Sequence, residues 1–411
     1  MQTKDINADI IVSGAGPAGL ALSLLLARAG LDIVLVDAEK PIDVNAPVKP
    51  SGRTLALLEG SINVLKAAGI WEALRPSVTP LRNMRIVDDS IKSSDRIGVT
   101  FHARDIGLEQ FGFNIPNAIL RKTLYADVLK TDGITHLSAT RLAGYDIDGG
   151  KVSARTEDGR VITASLIVGT DGRNSIVRKV AGIDARTHDY AQMAMTCLIR
   201  HSKPHDFTAT EFHRSGGPFT FVPMADNHSS VVWVEKTDDA KALLAMKRDD
   251  YRQAIQDRSC GLLGTISMAS DPESWPLMFL SSNALIGERA ALAAEAAHVL
   301  SPIGAQGLNL SLRDVASLAE TIVDAARLGE DIGSATVLAR YETRRRADLL
   351  TRTNGIDRLN RVVANDLMFV KDMRRFGLKA LAKVPPLKSF ITHQGLAPAW
   401  DEGRLLAGQP L

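Results

Sequence analysis

The chain has 411 residues, 45% of them hydrophobic, and a formal net charge of +2. That length supports two to three domain-sized units at roughly 100–200 residues each, and the near-neutral charge argues against nucleic acid as a partner. The two cysteines, Cys197 and Cys260, lie far apart and make neither a disulfide framework nor a metal-ligand cluster, so no metal site is expected.

The N-terminal run is apolar, but Asp5 and Asp9 accompany Lys4, and Gly14, Gly16, Pro17 and Gly19 interrupt it, unlike a secretory signal. Ile10 to Ser13 reads as a short buried strand, Pro17 to Gly30 as a helix rich in Ala and Leu, and Ile33 to Asp37 as a second strand, a βαβ unit. Arg53 to Leu74 reads as helix in two pieces, and Asn117 to Lys130 as an amphipathic helix. From Thr135 to Val168 short strands alternate with turns at Gly149-Gly150 and Asp158-Gly159. Met193 to Glu235 alternates apolar and polar residues, the texture of an antiparallel sheet. A helix over Asp239 to Gln256, a buried strand over Ala290 to Ala293, a long helix from Gly307 and mostly helix beyond Arg340 complete the pattern. No charge-free stretch of about 20 apolar residues is present, so no membrane span is expected.

Gly14-Ala15-Gly16-Pro17-Ala18-Gly19 is a G-x-G-x-x-G between a strand and a helix. Gly14 permits the tight turn, Gly16 lets backbone approach a pyrophosphate, and Gly19 lets helix and strand pack closely. The helix N-terminus directs free N–H groups and the positive end of its dipole at phosphate. Asp37, 18 residues after Gly19, ends the second strand where an acid can accept hydrogen bonds from ribose hydroxyls. This fingerprint predicts a dinucleotide site without distinguishing FAD from NAD.

Two further passages bear on that choice. Ser165 to Arg178 is a buried strand that delivers Asp171-Gly172 and a helix start capped by Ser175. Glu295 to Asn309, containing His298, Pro302, Gly304 and Gln306-Gly307-Leu308-Asn309, leads into a helix through Arg313-Asp314. With Arg53-Thr-Leu-Ala-Leu, Phe111-Gly-Phe-Asn-Ile-Pro-Asn117 and the terminal Leu-Leu-Ala-Gly-Gln-Pro-Leu, these passages resemble the group A flavoprotein monooxygenases. Within that group the whole chain resembles the ubiquinone-biosynthesis hydroxylases.

The resemblance implies an α/β fold like that of p-hydroxybenzoate hydroxylase: a Rossmann-type FAD-binding domain interleaved with an antiparallel-sheet substrate domain, followed by C-terminal helices. The expected division is 1–78, 104–182 and 277–339 for the FAD domain, 79–103 and 183–276 for the sheet domain, and 340–411 for the helical region. By the same resemblance Arg53 and Arg121 hold the pyrophosphate and ribityl region, and Asp171 stands near the ribityl chain. Gly307, Leu308 and Asn309 present backbone N–H groups to the pyrimidine edge of the isoalloxazine. Such an edge is anionic when reduced, and a helix N-terminus stabilises negative charge. Where the family carries Gly-Asp at a strand end, this chain has Ala294-Glu295; the acid at Glu295 is kept, with its contact to the flavin in question.

The implied reaction uses NADPH or NADH to reduce FAD; O₂ then adds at flavin C4a, and the hydroperoxide hydroxylates a phenol ring. No second G-x-G-x-x-G and no Cys-x-x-x-x-Cys pair is present, which argues against a disulfide reductase. No acid–base residue is nominated, and His298 reads as a packing residue. Phe219 and Phe221, two apart on a strand, share one face and with Pro302 either line an aromatic pocket or, for the two rings, form sheet core.

From Arg340 to Phe390 there are 13 Lys/Arg against 5 Asp/Glu, interleaved with apolar residues. Such a segment either lies peripherally on the inner (cytoplasmic) membrane surface or packs as ordinary helix on the FAD domain. The first suits a polyprenylated phenol substrate and an otherwise cytoplasmic protein, in contact with other ubiquinone-biosynthesis proteins. Two further expectations stand beside it: a hydroxylase of a small soluble aromatic compound, and a non-catalytic flavin-fold subunit of a biosynthetic complex.

Overall fold

The computed structural model describes residues 5–89, 97–214, 216–364 and 403–411. Among them the strands form four sheets. The six-stranded sheet is built from runs of Ile, Val, Leu and Ala that are buried on both faces, as a parallel sheet covered by helices requires. Its order is Ile286–Gly287, Ala290–Leu292, Leu166–Gly169, Ile10–Ser13, Ile33–Val36 and Ile134–Leu137, all parallel except the first, an edge strand. Strands from residues 10, 166 and 290 thus lie side by side, so three distant passages deliver their C-terminal ends to one edge.

Helix Pro17–Arg28 follows the first of these strands, with Pro17 at its first turn, where a missing N–H costs nothing. Helix Gln306–Arg327 packs against it, its buried face running from Asn309 to Ala325. The long helix Ala335–Ala364 lies against Gln306–Arg327 and reaches the second large sheet. The terminal helix Gly403–Leu406 buries Leu405 and Leu406 against Glu59–Ala67 and Gln306–Arg327.

The nine-stranded sheet is mostly antiparallel, centred on Ala185–His201 and His228–Lys236. It is not wholly so: Thr208–Arg214 pairs in parallel with Asn83–Asp88, which brings Asn83–Asp88 and Ile97–His102 into the sheet. Strand Glu273–Ser282 and the short His298–Val299 close its other edge.

Two elements differ from the sequence reading. Thr54–Leu58 is a strand, not the start of a helix; it pairs antiparallel with Gly112–Pro116, and helix begins only at Glu59. The helix expected over Asp239 to Gln256 is two, Thr237–Leu244 and Arg248–Arg258. Each begins with two aspartates in its first turn, which favours a separate start.

Phe219 and Phe221 are both 1% exposed. Their rings pack with Phe212, Trp233 and Tyr251 beneath the two helices that follow the sheet. Of the two roles open to them, the geometry is that of sheet core, on the face turned away from Arg53. The opposite face carries Ala194, Val234, Leu277, Tyr190 and Trp275, and Ser230 Oγ on that face donates to the carbonyl of Gly52.

Candidate active site

The cradle is held from both sides. Gly14 has φ +103°, and a Cβ there would stand 2.6 Å from the carbonyl oxygen of Thr170. Thr170 Oγ1 donates to the carbonyls of Ser13 (2.9 Å) and Gly14 (2.8 Å), binding the first strand's turn to the Asp171 passage. Gly19 allows the closest approach, since a Cβ would lie 1.9 Å from the Gly14 carbonyl. Beside Gly16 a Cβ would meet nothing within 4 Å, so the turn opens onto free space there. Pro17 and Ala18 start the helix, and no side chain caps it.

Asp37 accepts from the backbone N–H groups of Ala15 and Glu39, tying the second strand's end to the glycine turn. It lines a cleft with Ala15, Glu39, Lys40, Arg121, Tyr125 and His136. Arg121 thus shares a cleft with Asp37, and its Nε is buried without a hydrogen-bond partner. Tyr125 and His136 were not foreseen. Their ring atoms Oη and Nδ1 are 3.3 Å apart; burial, then the Asp37 charge, raises the Tyr125 pKa, and burial lowers that of His136 against the Asp37 charge.

Asp171 sits against Gly14. Its Oδ2 accepts from Ser13 Oγ (3.3 Å) and from the N–H groups of Ile176 (2.9 Å) and Val177 (3.4 Å). Its Oδ1 is buried and unpartnered. Burial raises the carboxyl pKa in spite of these donors. Ser175 caps the short helix Ile176–Val180 by accepting from the Arg178 N–H at 3.0 Å.

The third passage opens the helix that packs against Pro17–Arg28. Pro302, half-buried, heads a 3₁₀ turn over Ile303–Ala305 in which Gly304 (φ 67°) and Ala305 (φ 54°) are both left-handed. Helix Gln306–Arg327 then starts with no side-chain cap, Gly307 exposed and Leu308 half-buried. A Cβ at Gly307 would meet nothing within 4 Å. The amide of Asn309 is used in full: Nδ2 donates to Ala56 O (2.8 Å) and Ala305 O (2.7 Å), while Oδ1 accepts from Leu58 N–H (2.9 Å) and Ser61 Oγ (2.7 Å). This side chain locks the helix start to strand Thr54–Leu58, a role the sequence reading did not give it. Arg53, at the head of that strand, is exposed, with its guanidinium 5.2 Å over the Trp275 ring.

Glu295 is exposed, in a 3₁₀ turn over Ala294–Ala296. Ala294 has φ 57°, a left-handed conformation that suits glycine. What holds it is Asp314, 0% exposed, whose Oδ2 accepts from Ala294 N–H (3.0 Å) and lies 2.6 Å from His298 Nε2. Asp314 Oδ1 accepts from Arg345 Nε at 2.8 Å. Burial alone would raise the Asp314 pKa, but the His298 and Arg345 charges more than offset it and hold it down. His298 is thus a packing and pairing residue, as expected.

Between residues 340 and 352 the arginines of the C-terminal helix are paired. Arg340 pairs with Glu330, Arg344 with Glu320, Arg346 with Glu342 and Arg352 with Asp348. The helix Ala335–Ala364 packs against Gln306–Arg327 and touches the nine-stranded sheet. Residues 365–390 lie outside the described residues. No described helix is long and apolar enough to cross a membrane. A cavity of about 480 Å³ lined by Arg214, Trp233, Glu235 and Arg258 lies on the far side of the nine-stranded sheet, away from these stations.

Two buried polar atoms without partners, two glycines facing open space and two uncapped helix starts fit a long dianionic dinucleotide with an electron-rich ring. The fold and site define a flavin-dependent redox class of protein. The FAD binding domain family matches residues 7–350. Ubiquinone hydroxylase UbiL of Rhodospirillum rubrum is 34% identical over all of this chain and 95% of its own length. The 3-demethoxyubiquinol 3-hydroxylase of Escherichia coli is 29% identical over 92% of this chain and 96% of its own. Among solved structures, p-nitrophenol 4-monooxygenase of Pseudomonas putida superposes with a TM-score of 0.76 at 18% identity, covering 96% of this chain and 98% of that one. The chain belongs to the FAD-binding ubiquinone-biosynthesis hydroxylases, flavoprotein monooxygenases that hydroxylate aromatic rings.

Proposed function

We propose that this enzyme hydroxylates the ring of a polyprenylated phenol on the route to ubiquinone, with NADH or NADPH as electron donor and O₂ as oxygen source. What supports the reading is Asp171 packed against the Gly14 turn and an uncapped helix start at Gln306-Gly307, in a chain alignable end to end with a ubiquinone hydroxylase. FAD, when bound, supplies the redox chemistry: it takes a hydride from NAD(P)H and activates O₂ at its C4a carbon.

The chain's own residues do the rest. Backbone N–H groups of Gly16 and Ala18 and the Arg121 guanidinium hold the diphosphate; Asp37 accepts from ribose hydroxyls and Asp171 from the ribityl chain. Arg53 covers the cofactor at the mouth of the cleft. The uncapped N–H groups at Gly307 to Asn309 neutralise charge on the ring's pyrimidine edge, with Pro302 beside the substrate. The sheet face bearing Ala194, Val234, Leu277 and Trp275 forms the opposite wall and excludes water. Glu295, being exposed, is assigned a contact at the rim. Peripheral contact with the inner face of the cytoplasmic membrane, and with other proteins of the route, is proposed on the composition of 340–390 alone.

The test is to purify the protein, add FAD, and supply NAD(P)H with either a short-chain prenylated phenol in detergent or a water-soluble phenol. Ring-hydroxylated product from the prenylated phenol is the expected result. Turnover of the soluble phenol alone would replace this reading with that of a small-aromatic hydroxylase.

A further inference from the structure

One face of the helix Ala335–Ala364 carries polar residues at helical spacing that each reach a different part of the cleft. Tyr341 Oη donates to the Leu292 carbonyl (2.8 Å) at the end of a parallel strand. Arg345 meets Asp314, and Arg352 Nη1 donates to Gln306 Oε1 (3.0 Å) at the ring-edge helix start. Just over two turns on, Asn360 accepts from Ser301 Oγ (3.0 Å) and donates through Nδ2 to Gln192 Oε1 (3.0 Å); Gln192 Nε2 in turn donates to Gly216 O (2.6 Å).

Ser301, Asn360 and Gln192 are 0%, 1% and 4% exposed, so water does not substitute for any of these bonds. Each end of the chain matters for a different reason. Ser301 immediately precedes Pro302 and the two left-handed residues that open the ring-edge helix, a turn with no side-chain cap of its own. Gln192 follows a bulge in the longest strand of the sheet, and alternates in phase with Ala194 on the cofactor-facing side. Asn360 therefore joins the turn beneath the flavin ring to the wall that faces the substrate.

We propose that Asn360 is a positioning residue that fixes the distance between ring edge and substrate wall, and so sets how efficiently oxygen reaches the substrate. The proposal rests on the hydroxylase reading above. In the coupled reaction the phenol, O₂, NAD(P)H and a proton give hydroxylated phenol, NAD(P)⁺ and water. When the substrate is misplaced, the same NAD(P)H, O₂ and proton give NAD(P)⁺ and hydrogen peroxide. An ångström-scale shift between reacting partners changes rates by up to about a hundredfold, far more than it changes binding of either.

The experiment compares wild type with Asn360→Leu and Ser301→Ala, each loaded with FAD. Flavin content, the visible circular dichroism of bound flavin, and the ratio of hydroxylated short-chain prenylated phenol to NAD(P)H consumed are measured. The expected result for Asn360→Leu is retained flavin, an altered flavin dichroism, and a product ratio lowered about tenfold with peroxide making up the difference. Ser301→Ala should move both readouts the same way and less, and the double variant should be no worse than Asn360→Leu alone, as members of one network behave. Should Asn360→Leu not retain flavin, Ser301→Ala decides. Unchanged dichroism and an unchanged product ratio in the variant that decides would overturn the proposal. If wild type itself makes no product, the hydroxylase reading fails, and the dichroism still tells whether Asn360 positions the ring.

Discussion

The two ends of the cofactor cleft are built on opposite principles. At the phosphate end the awkward backbone is given to glycine: Gly14 takes φ +103°, and Gly19 clears room for the Gly14 carbonyl. At the ring end left-handed backbone falls on alanine as well as on Gly304: Ala294 (φ 57°) is held by the buried Asp314 carboxylate, and Ala305 (φ 54°) by the Asn309 amide. Asp314, Arg345, Asp348 and His298 supply there by tertiary contact what residue choice supplies at the other end. One geometry is local and cheap; the other exists only when three separate segments meet. The ring end should therefore fail globally when broken, and the phosphate end should fail in binding.

The largest effect is expected from Asp314→Ala, which leaves His298 buried without its partner and Arg345 with Asp348 alone. A loss of about 3–5 kcal/mol is expected, read from denaturant unfolding of the FAD-loaded protein. A loss below 1 kcal/mol would mean that the network does not hold the ring end.

Gly14→Ala should act differently. A Cβ would collide with Thr170, and the left-handed backbone adds roughly 1–2 kcal/mol, so FAD affinity should fall at least about tenfold while the sheet remains folded. Flavin titration of the apoprotein, with circular dichroism as the control for folding, checks both halves of that statement.

Acid separates the ends by sign. Burial is outweighed at Asp314 by His298 and Arg345, and at Asp348 by Arg345 and Arg352, so both pKa values lie below the ordinary 3.8. Their stabilisation is present above 3.8 and is lost as pH falls below it. Asp171 is shifted upward by burial, so its contribution is the reverse, greatest when protonated and lost as pH rises through its folded value. Unfolding measured across this range should show a shallower acid loss in Asp348→Asn than in wild type. In Asp171→Asn the apoprotein should be as stable as wild type, or more so, at neutral pH.

The smallest effect is that of Ala294→Gly. Relief of a left-handed alanine is worth roughly 1–2 kcal/mol, against about 0.5–1 kcal/mol for the looser unfolded chain. A net stabilisation under about 1 kcal/mol, seen as a raised thermal midpoint, is expected. A lowered midpoint would show that the ring end prefers alanine for its own sake.

The amino-acid sequence alone determined the βαβ cradle, the Asp-Gly turn capped at Ser175, and the start of a helix at Gln306-Gly307. In each case a run of apolar residues and a glycine act within a turn or two of each other, and at the second Ser175 adds a side-chain cap. It did not determine that Thr54–Leu58 is a strand, because that state is conferred by pairing with Gly112–Pro116, more than fifty residues away. Nor could it tell which face of the sheet Phe219 and Phe221 occupy relative to the cleft, since alternation fixes that they share a face and not what covers it. Charge counting beyond Arg340 likewise could not separate solvated arginines from those paired with Glu330, Glu320 and Asp348. Only the tertiary structure decides these matters, because pairing, coverage and neutralisation depend on residues that sequence distance hides and packing brings together.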